Sequence, residues 1–228
     1  MPLVNILSIS CFHSDIENLL NFIDRISSFN IDVIVCPGDF TDSYLPKGFN
    51  RVDLAAIIVE ELSILKKPII AIPGSWDDDI IGFLEKKGIS IHGKGKIIDK
   101  IGFYGFGGAR TPFGTPFEPE DNEIMVGLER AFNDVKTAET LVQVTHAPPA
   151  RTSVDVIGTG AHVGSEVVRK FIEDKQPAVA ICSHIHEGRG VDEIGKTKIV
   201  NSGRFPEGYC GLISIDGRNV QAKIINLI

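Results

Sequence analysis

The chain has 228 residues, 43% of them hydrophobic and 23% charged, enough apolar content to bury a substantial core in a single domain spanning 1–228. Its formal net charge of −7 argues against a general nucleic-acid surface, because binding without sequence preference needs clustered Lys and Arg. The chain enters its first strand almost at once and has no apolar stretch of about 18 residues, so no membrane span or export leader is expected and the protein reads as cytoplasmic.

The run VNILSIS, starting at Val4, is short and rich in Val and Ile, which predicts a buried strand. Ser14 and Glu17 form an S-x-x-E capping box ahead of Leu19, Leu20, Phe22, Ile23 and Ile26, which predicts a helix. A strand over Ile31–Cys36, a helix over Val52–Leu65 and a strand over Ile69–Ile72 repeat the alternation, and βαβ units imply parallel strands. A helix near Asp79–Lys87 precedes short strands at Ile89–His92, Lys96–Asp99 and Phe103–Gly107. The segment Gly108–Asn122, rich in Gly, Pro and Phe, predicts a functional loop. A helix near Glu123–Val135 and a strand at Leu141–Val144 follow. The glycine-rich turn Gly158–Gly164 then leads to a helix capped by Ser165, with Val167, Val168, Phe171 and Ile172 inward. After the strand Ala178–Cys182 come short hairpin strands at Gly190–Ile194, Lys198–Val200, Gly211–Ile215 and Val220–Ile225, with a turn signal at Asp216–Gly217. The expected fold is an α/β (α+β) four-layer sandwich, two mixed sheets between helical layers. Cys11, Cys36, Cys182 and Cys210 lie near strands without CxxC spacing and are expected to be reduced thiols.

Five of these apolar runs stop at polar, metal-competent residues. Cys11 and His13 follow the first, Asp39 the second, Ser75 the third, His146 the fourth, and His184 and His186 the fifth. In sheets with crossover helices the carboxyl ends of the strands share one rim, so these side chains can converge.

The order Cys-x-His, Gly-Asp, Gly-Ser-Trp-Asp, Thr-His and His-x-His resembles the calcineurin-like metallophosphoesterases, with CSHIHEGRG and VNSG closest to their small single-domain branch. The resemblance implies two divalent ions per chain (Mn, Fe or Zn), one held by Cys11, His13, Asp39 and His186 and the other by Asp39, Ser75, His146 and His184. It also implies hydrolysis of a phosphomonoester or phosphodiester by a metal-activated hydroxide, with Asp39 and His146 at the chemistry and Asp77 orienting His146 or its neighbours. One carboxylate can bridge two cations, and imidazole suits first-row divalent ions.

Four positions depart from the family pattern: Cys11 for Asp, Ser75 for Asn, Trp76 for a general-acid His, and Ser183 for Gly. A Cys11 thiolate favours zinc or iron over manganese, and a serine hydroxyl makes a weaker ligand. These departures give a second reading, a degenerate member that binds a phosphate-containing ligand or a partner through the same cleft. A third reading makes Cys11 a redox or nucleophilic thiol beside His13. Arg110, Arg151 and Arg204 lie in loops expected near the rim and could hold phosphate. Asn201 resembles a family residue near the final ligands and is placed with Arg110 and Arg151 as substrate-binding. His92 and His162 read as structural. The expected partner is a small phosphate-containing substrate, with no membrane. Phe106, Phe113 and Phe117 suit either a substrate wall or a homo-oligomer interface.

Overall fold

A computed structural model describes residues 3–217 and 219–228. Along the chain run β1 (Val4–Ser8), α1 (Ile16–Ser27), β2 (Val33–Cys36), α2 (Arg51–Ser63) and β3 (Ile69–Ala71). Next come α3 (Ile81–Lys86), β4 (Lys94–Ile98), β5 (Ile101–Phe106), α4 (Asp121–Val135), β6 (Thr140–Thr145) and α5 (Glu166–Lys175). Then follow β7 (Val179–Cys182), β8 (Gly190–Ile194), β9 (Thr197–Asn201), β10 (Tyr209–Asp216) and β11 (Asn219–Asn226).

The strands form two mixed sheets, ordered β11-β10-β1-β2-β3 and β4-β5-β6-β7-β9-β8. In the first, β1, β2 and β3 are parallel, with Ile6 opposite Val33 and Ile34 opposite Ile69, and β10 joins β1 antiparallel. In the second, β5, β6, β7 and β9 are parallel, while β4 and β8 close the edges antiparallel.

The two-residue period of a strand decides which layer each side chain enters. Val33 and Val35 of β2 join one buried cluster with Phe103, Val142, Val144, Val179 and Ile181 of the second sheet, so the sheets pack face to face. Ile34 and Cys36 point the other way, into a cluster with Leu19, Ile26, Ile58 and Leu62 of α1 and α2. On the far side, Tyr104, Ala180 and Cys182 pack under Leu128 and Ala131 of α4 and Val168, Phe171 and Ile172 of α5. The result is the expected four-layer arrangement, helices, sheet, sheet, helices.

Local chemistry moves some boundaries. Ser14 does not cap α1. Its backbone is left-handed at φ +63° and its N–H donates to Phe40 O at 3.0 Å, so Asp15 takes the cap, accepting from Asn18 N at 3.1 Å. Ile89–His92 makes only two isolated bridges, Ala71 with Ser90 and His92 with Gly105, because left-handed Gly88 and Gly93 bend the chain on either side. Ser165 caps α5 as expected, accepting from Val168 N. The hairpin signalled at Asp216–Gly217 pairs Asp216 with Asn219, and Arg218 lies outside the described residues. All four cysteines are free and buried. No helix among the described residues is long and apolar enough to cross a membrane.

Candidate metal centre

The parallel strands β1, β2, β3, β6 and β7 release their loops on one rim, and the loops are stitched together by backbone. Cys11 N donates to Gly38 O at 3.0 Å and His13 N to Asp39 O at 3.1 Å, which sets the first loop against the second. Ser183 N donates to His146 O at 3.1 Å, joining the loops after β6 and β7. Gly38 and Gly74 are the closest approach: a Cβ on Gly74 would stand 2.1 Å from Asp39 N and 2.2 Å from Asp39 Oδ1.

These loops place all seven expected ligands in two adjacent groups. Cys11, His13 and His186 have ligand atoms within 4.8 Å of one another, and so do Asp39, His146 and His184. The two His Nε2 atoms of the first group are 3.3 Å apart. In the second group, Asp39 Oδ2 lies 3.2 Å from His146 Nε2, and Ser75 Oγ lies 3.2 Å from His146 Nε2 and 3.3 Å from His184 Nδ1. Asp39 Oδ2 also stands 3.8 Å from His13 Nε2, so this carboxylate faces both groups. Ligand atoms about 2.0–2.1 Å from a tetrahedral ion sit about 3.3 Å from each other, so both donor sets have the spacing and chemistry to hold a divalent cation.

The surroundings fix these groups. Asp39 Oδ1 accepts from Trp76 N at 3.1 Å, leaving Oδ2 to the histidines. His146 Nδ1 donates to Pro37 O at 2.7 Å, which turns Nε2 into the centre. His13 Nδ1 faces Asp42 Oδ2 at 3.3 Å. Cys11 Sγ meets Ser183 Oγ at 2.8 Å, and Ser183 Oγ donates to Ser10 Oγ at 2.7 Å, itself 2.9 Å from Ser202 Oγ. Asp42, Ser10 and Ser202 were not legible as parts of a site. Asp42 carries a faint signal, three residues after Asp39 in GDFTD, whereas the serines meet only through the fold.

Charge is distributed in pairs. Burial opposes ionisation of Cys11, but hydrogen bonds from His13 and His186 and the charge of His186 hold the thiol well below its usual range. Burial likewise works against a charged His13, yet Asp42 and Cys11 raise it to about 10. Burial also opposes ionisation of Asp39, but the charge of His146 and its hydrogen bond hold the carboxylate well below its usual range. His146 rises to about 9 against its own burial, drawn by Asp39. Burial, then the charge of His146, pushes His184 down to about 3, leaving it neutral.

Several residues expected near the reaction stand elsewhere. Asp77 does not touch His146. It is fully buried and accepts from Gly74 N, Phe40 N, Thr41 N and Thr41 Oγ1 at 2.8–3.0 Å, so it braces the loop that carries Asp39. Burial and the nearby Asp39 charge lift its pKa to about 6. Asn201, expected at substrate, is buried and donates to Val154 O and Ile185 O while accepting from Gly203 N. Its polar atoms hold backbone and reach no ligand. Arg151 pairs with Glu166 at the start of α5, and Arg204 faces Glu207 at 3.7 Å. Arg110 does line the cleft above the histidines, paired with Glu120 at 2.5 Å. His162 binds buried Asp155 at 2.7 Å. His92 accepts from Gly107 N and its ring lies against Phe106.

A family model described as calcineurin-like phosphoesterase matches residues 4–188. The uncharacterized protein MJ1162 of Methanocaldococcus jannaschii is 35% identical over 184 residues, covering 78% of this chain and 79% of that protein. TT1561 of Thermus thermophilus superposes with a TM-score of 0.75 at 19% identity, covering 100% of both chains. A 5'-nucleotidase from Candida albicans gives 0.57 at 13% identity, covering 99% of this chain and 51% of its own. GAP50, described as the anchor in the inner membrane complex of Plasmodium, gives 0.61 at 13%, covering 100% and 85%.

Proposed function

The chain belongs to the calcineurin-like phosphoesterase family, and from that premise we propose that it is a cytoplasmic, metal-dependent hydrolase of a small phosphomonoester or phosphodiester. The observation that carries this reading is the pair of donor sets meeting at Asp39 Oδ2, 3.2 Å from His146 and 3.8 Å from His13. Cys11, His13 and His186 would hold one divalent ion and Ser75, His146 and His184 the other, with Asp39 shared between them. Such a pair of ions supplies Lewis-acid charge for a phosphoryl oxygen and acidifies a water that can serve as nucleophile.

The chain's own residues set the character of the centre. A thiolate at Cys11 favours zinc or iron in the first set, and the neutral hydroxyl of Ser75 makes the second set the weaker. Pro37 O fixes the ring of His146 by accepting from its Nδ1, and Asp42 sets a carboxylate 3.3 Å from His13 Nδ1. Arg110 offers a guanidinium fork for a phosphate oxygen at the cleft. Trp76 lines the same cleft where the family resemblance places an acid. Its indole cannot protonate a leaving group, an effect of roughly 10²–10⁴-fold, so substrates with good leaving groups are favoured.

The test is metal content per chain by elemental analysis of protein purified without chelator, with Asp39→Asn in parallel, followed by phosphate-ester turnover. Metal near two per chain, lost in the variant, together with metal-dependent turnover, is the expected result. No retained metal after incubation with manganese, iron and zinc would sink the hydrolase reading. Ser75 and Trp76 favour a second reading, a binding protein on the same fold, and metal at one per chain without turnover would select it.

A further inference from the structure

The cleft that contains His13, Asp39, His184 and His186 has a volume of about 530 Å³ and continues onto Trp76, Pro112, Phe113, Ile157 and Val163. This wall is apolar and open. Phe113 is 83% exposed and Val163 45%, while Trp76 is half-buried beside Ser75.

The loop that carries Phe113 is tied down. Glu118 accepts from Thr111 Oγ1 at 2.7 Å, from Thr115 N at 2.6 Å and from Thr115 Oγ1 at 2.9 Å, and Phe117 N donates to Ser75 O at 2.9 Å. Those bonds also occupy the hydroxyls of this wall, and Arg110 is held by Glu120. Thr159 and Glu187, the remaining polar residues of the lining, are solvent-exposed.

We propose that this wall is a leaving-group subsite for a flat apolar ring, which makes the substrate a phosphate ester of a phenol. The proposal rests on the phosphoesterase reading and adds to it the class of leaving group. Over Trp76, Pro112, Phe113, Ile157 and Val163 a sugar or peptide leaving group would bring hydroxyls or amides against apolar side chains, with Thr159 and Glu187 out in solvent and the Thr111 and Thr115 hydroxyls already paired. Covering polar groups without partners is unfavourable. A ring gains area burial and face contacts from Trp76 and Phe113 together. It also fits a centre without a leaving-group acid, because an aryloxide leaves without prior protonation more readily than an alkoxide.

Trp76 is the chain's one tryptophan, so its fluorescence reports directly on this wall. The experiment titrates the zinc-loaded protein with phenylphosphonate and with methylphosphonate, reading affinity by calorimetry and occupancy by Trp76 emission. Phenylphosphonate is expected to bind about tenfold or more tightly than methylphosphonate and to change Trp76 emission. Phe113→Ser, at an exposed position, is expected to remove most of that advantage without altering methylphosphonate affinity or metal content. Equal affinity for the two phosphonates would overturn the ring subsite and leave the phosphoesterase reading standing. An advantage untouched by Phe113→Ser would likewise overturn it. Failure of both phosphonates to bind the metal-loaded protein would overturn subsite and phosphoesterase reading together.

Discussion

Gly74→Ala adds one methyl group where two ligand loops touch backbone to backbone. The new Cβ would stand 2.1 Å from Asp39 N, so regaining a 3.4 Å contact requires one loop to retreat by about 1.3 Å. No side-chain rotation can relieve the clash, since the atom it meets is main chain. Retreat also weakens the Gly74 N to Asp77 bond of 2.8 Å and carries Asp39 Oδ2 away from His146, now at 3.2 Å. Overpacking of this kind costs about 1–3 kcal/mol, and its backbone character places it near the top of that range, a fall in Tm of about 6–12 °C for a chain of this size. Disturbing the support of a ligand should reduce metal affinity about 10–100-fold. Thermal melts by circular dichroism and metal titration by calorimetry read the two effects. Gly82→Ala is the control, since nothing lies within 4 Å of a Cβ there, and it should be neutral or slightly stabilising within α3. A Gly74→Ala protein with wild-type Tm and metal affinity would refute the claim that this close approach positions Asp39.

Asp77→Ala leaves four buried donors without their acceptor and should destabilise by about 3–5 kcal/mol in urea melts. Asp77→Asn should cost nearly as much, because both carboxylate oxygens accept from backbone N–H groups and an amide would set its NH2 against at least one of them; a near-neutral Asp77→Asn would contradict that account. Asp155→Asn tests a second buried carboxylate. Burial opposes its ionisation, but His162 and the N–H groups of Thr152, Gly164 and Arg151 hold its pKa below the usual range. A depressed folded pKa stabilises above about pH 4 and is lost as pH falls through the lower folded value. The variant should therefore lose about 1–3 kcal/mol at neutral pH and show a flatter acid limb below about pH 4. An acid limb of unchanged slope in denaturant titrations would count against it. Ser183 gives its one proton to Ser10, but a metal-bound Cys11 thiolate 2.8 Å away is the stronger acceptor and should draw it, so in Ser183→Ala the thiolate-to-metal charge-transfer band of cobalt-substituted protein should move to longer wavelength. An unmoved band would mean that the proton stays with Ser10.

The convergence of the candidate ligands was legible because each follows an apolar run, and parallel strands deliver their ends to one rim. Cys11, His13, Asp39, Ser75, His146, His184 and His186 meet as the strand-end pattern suggested. The layer assignment was legible for the same reason, since Val33 and Val35 alternate with Ile34 and Cys36. What the sequence hid was the use of polar side chains as bracing. Asp77 and Asn201 look like site residues by position, yet both bind backbone, a role fixed by loops distant in sequence such as Phe40 and Val154. The contact between Cys11 and Ser183 joins positions 172 residues apart and has no local signal. Capping failed at Ser14 because the loop pairing with Phe40 had already set its backbone.

Cys11, His13, Ser14, Asp39 and His184 all hold left-handed φ angles between +49° and +71°. An L side chain with a Cβ is disfavoured there by roughly 1–2 kcal/mol, and glycine is not. The rim is thus a place where durability and chemistry pull a gene in opposite directions. Laboratory evolution for heat resistance alone, without metal in the medium, should enrich glycine or asparagine at these codons before most others. The same selection run on metal retention should keep them. Populations in which the two regimes left these codons equally unchanged would show that the tension is not felt.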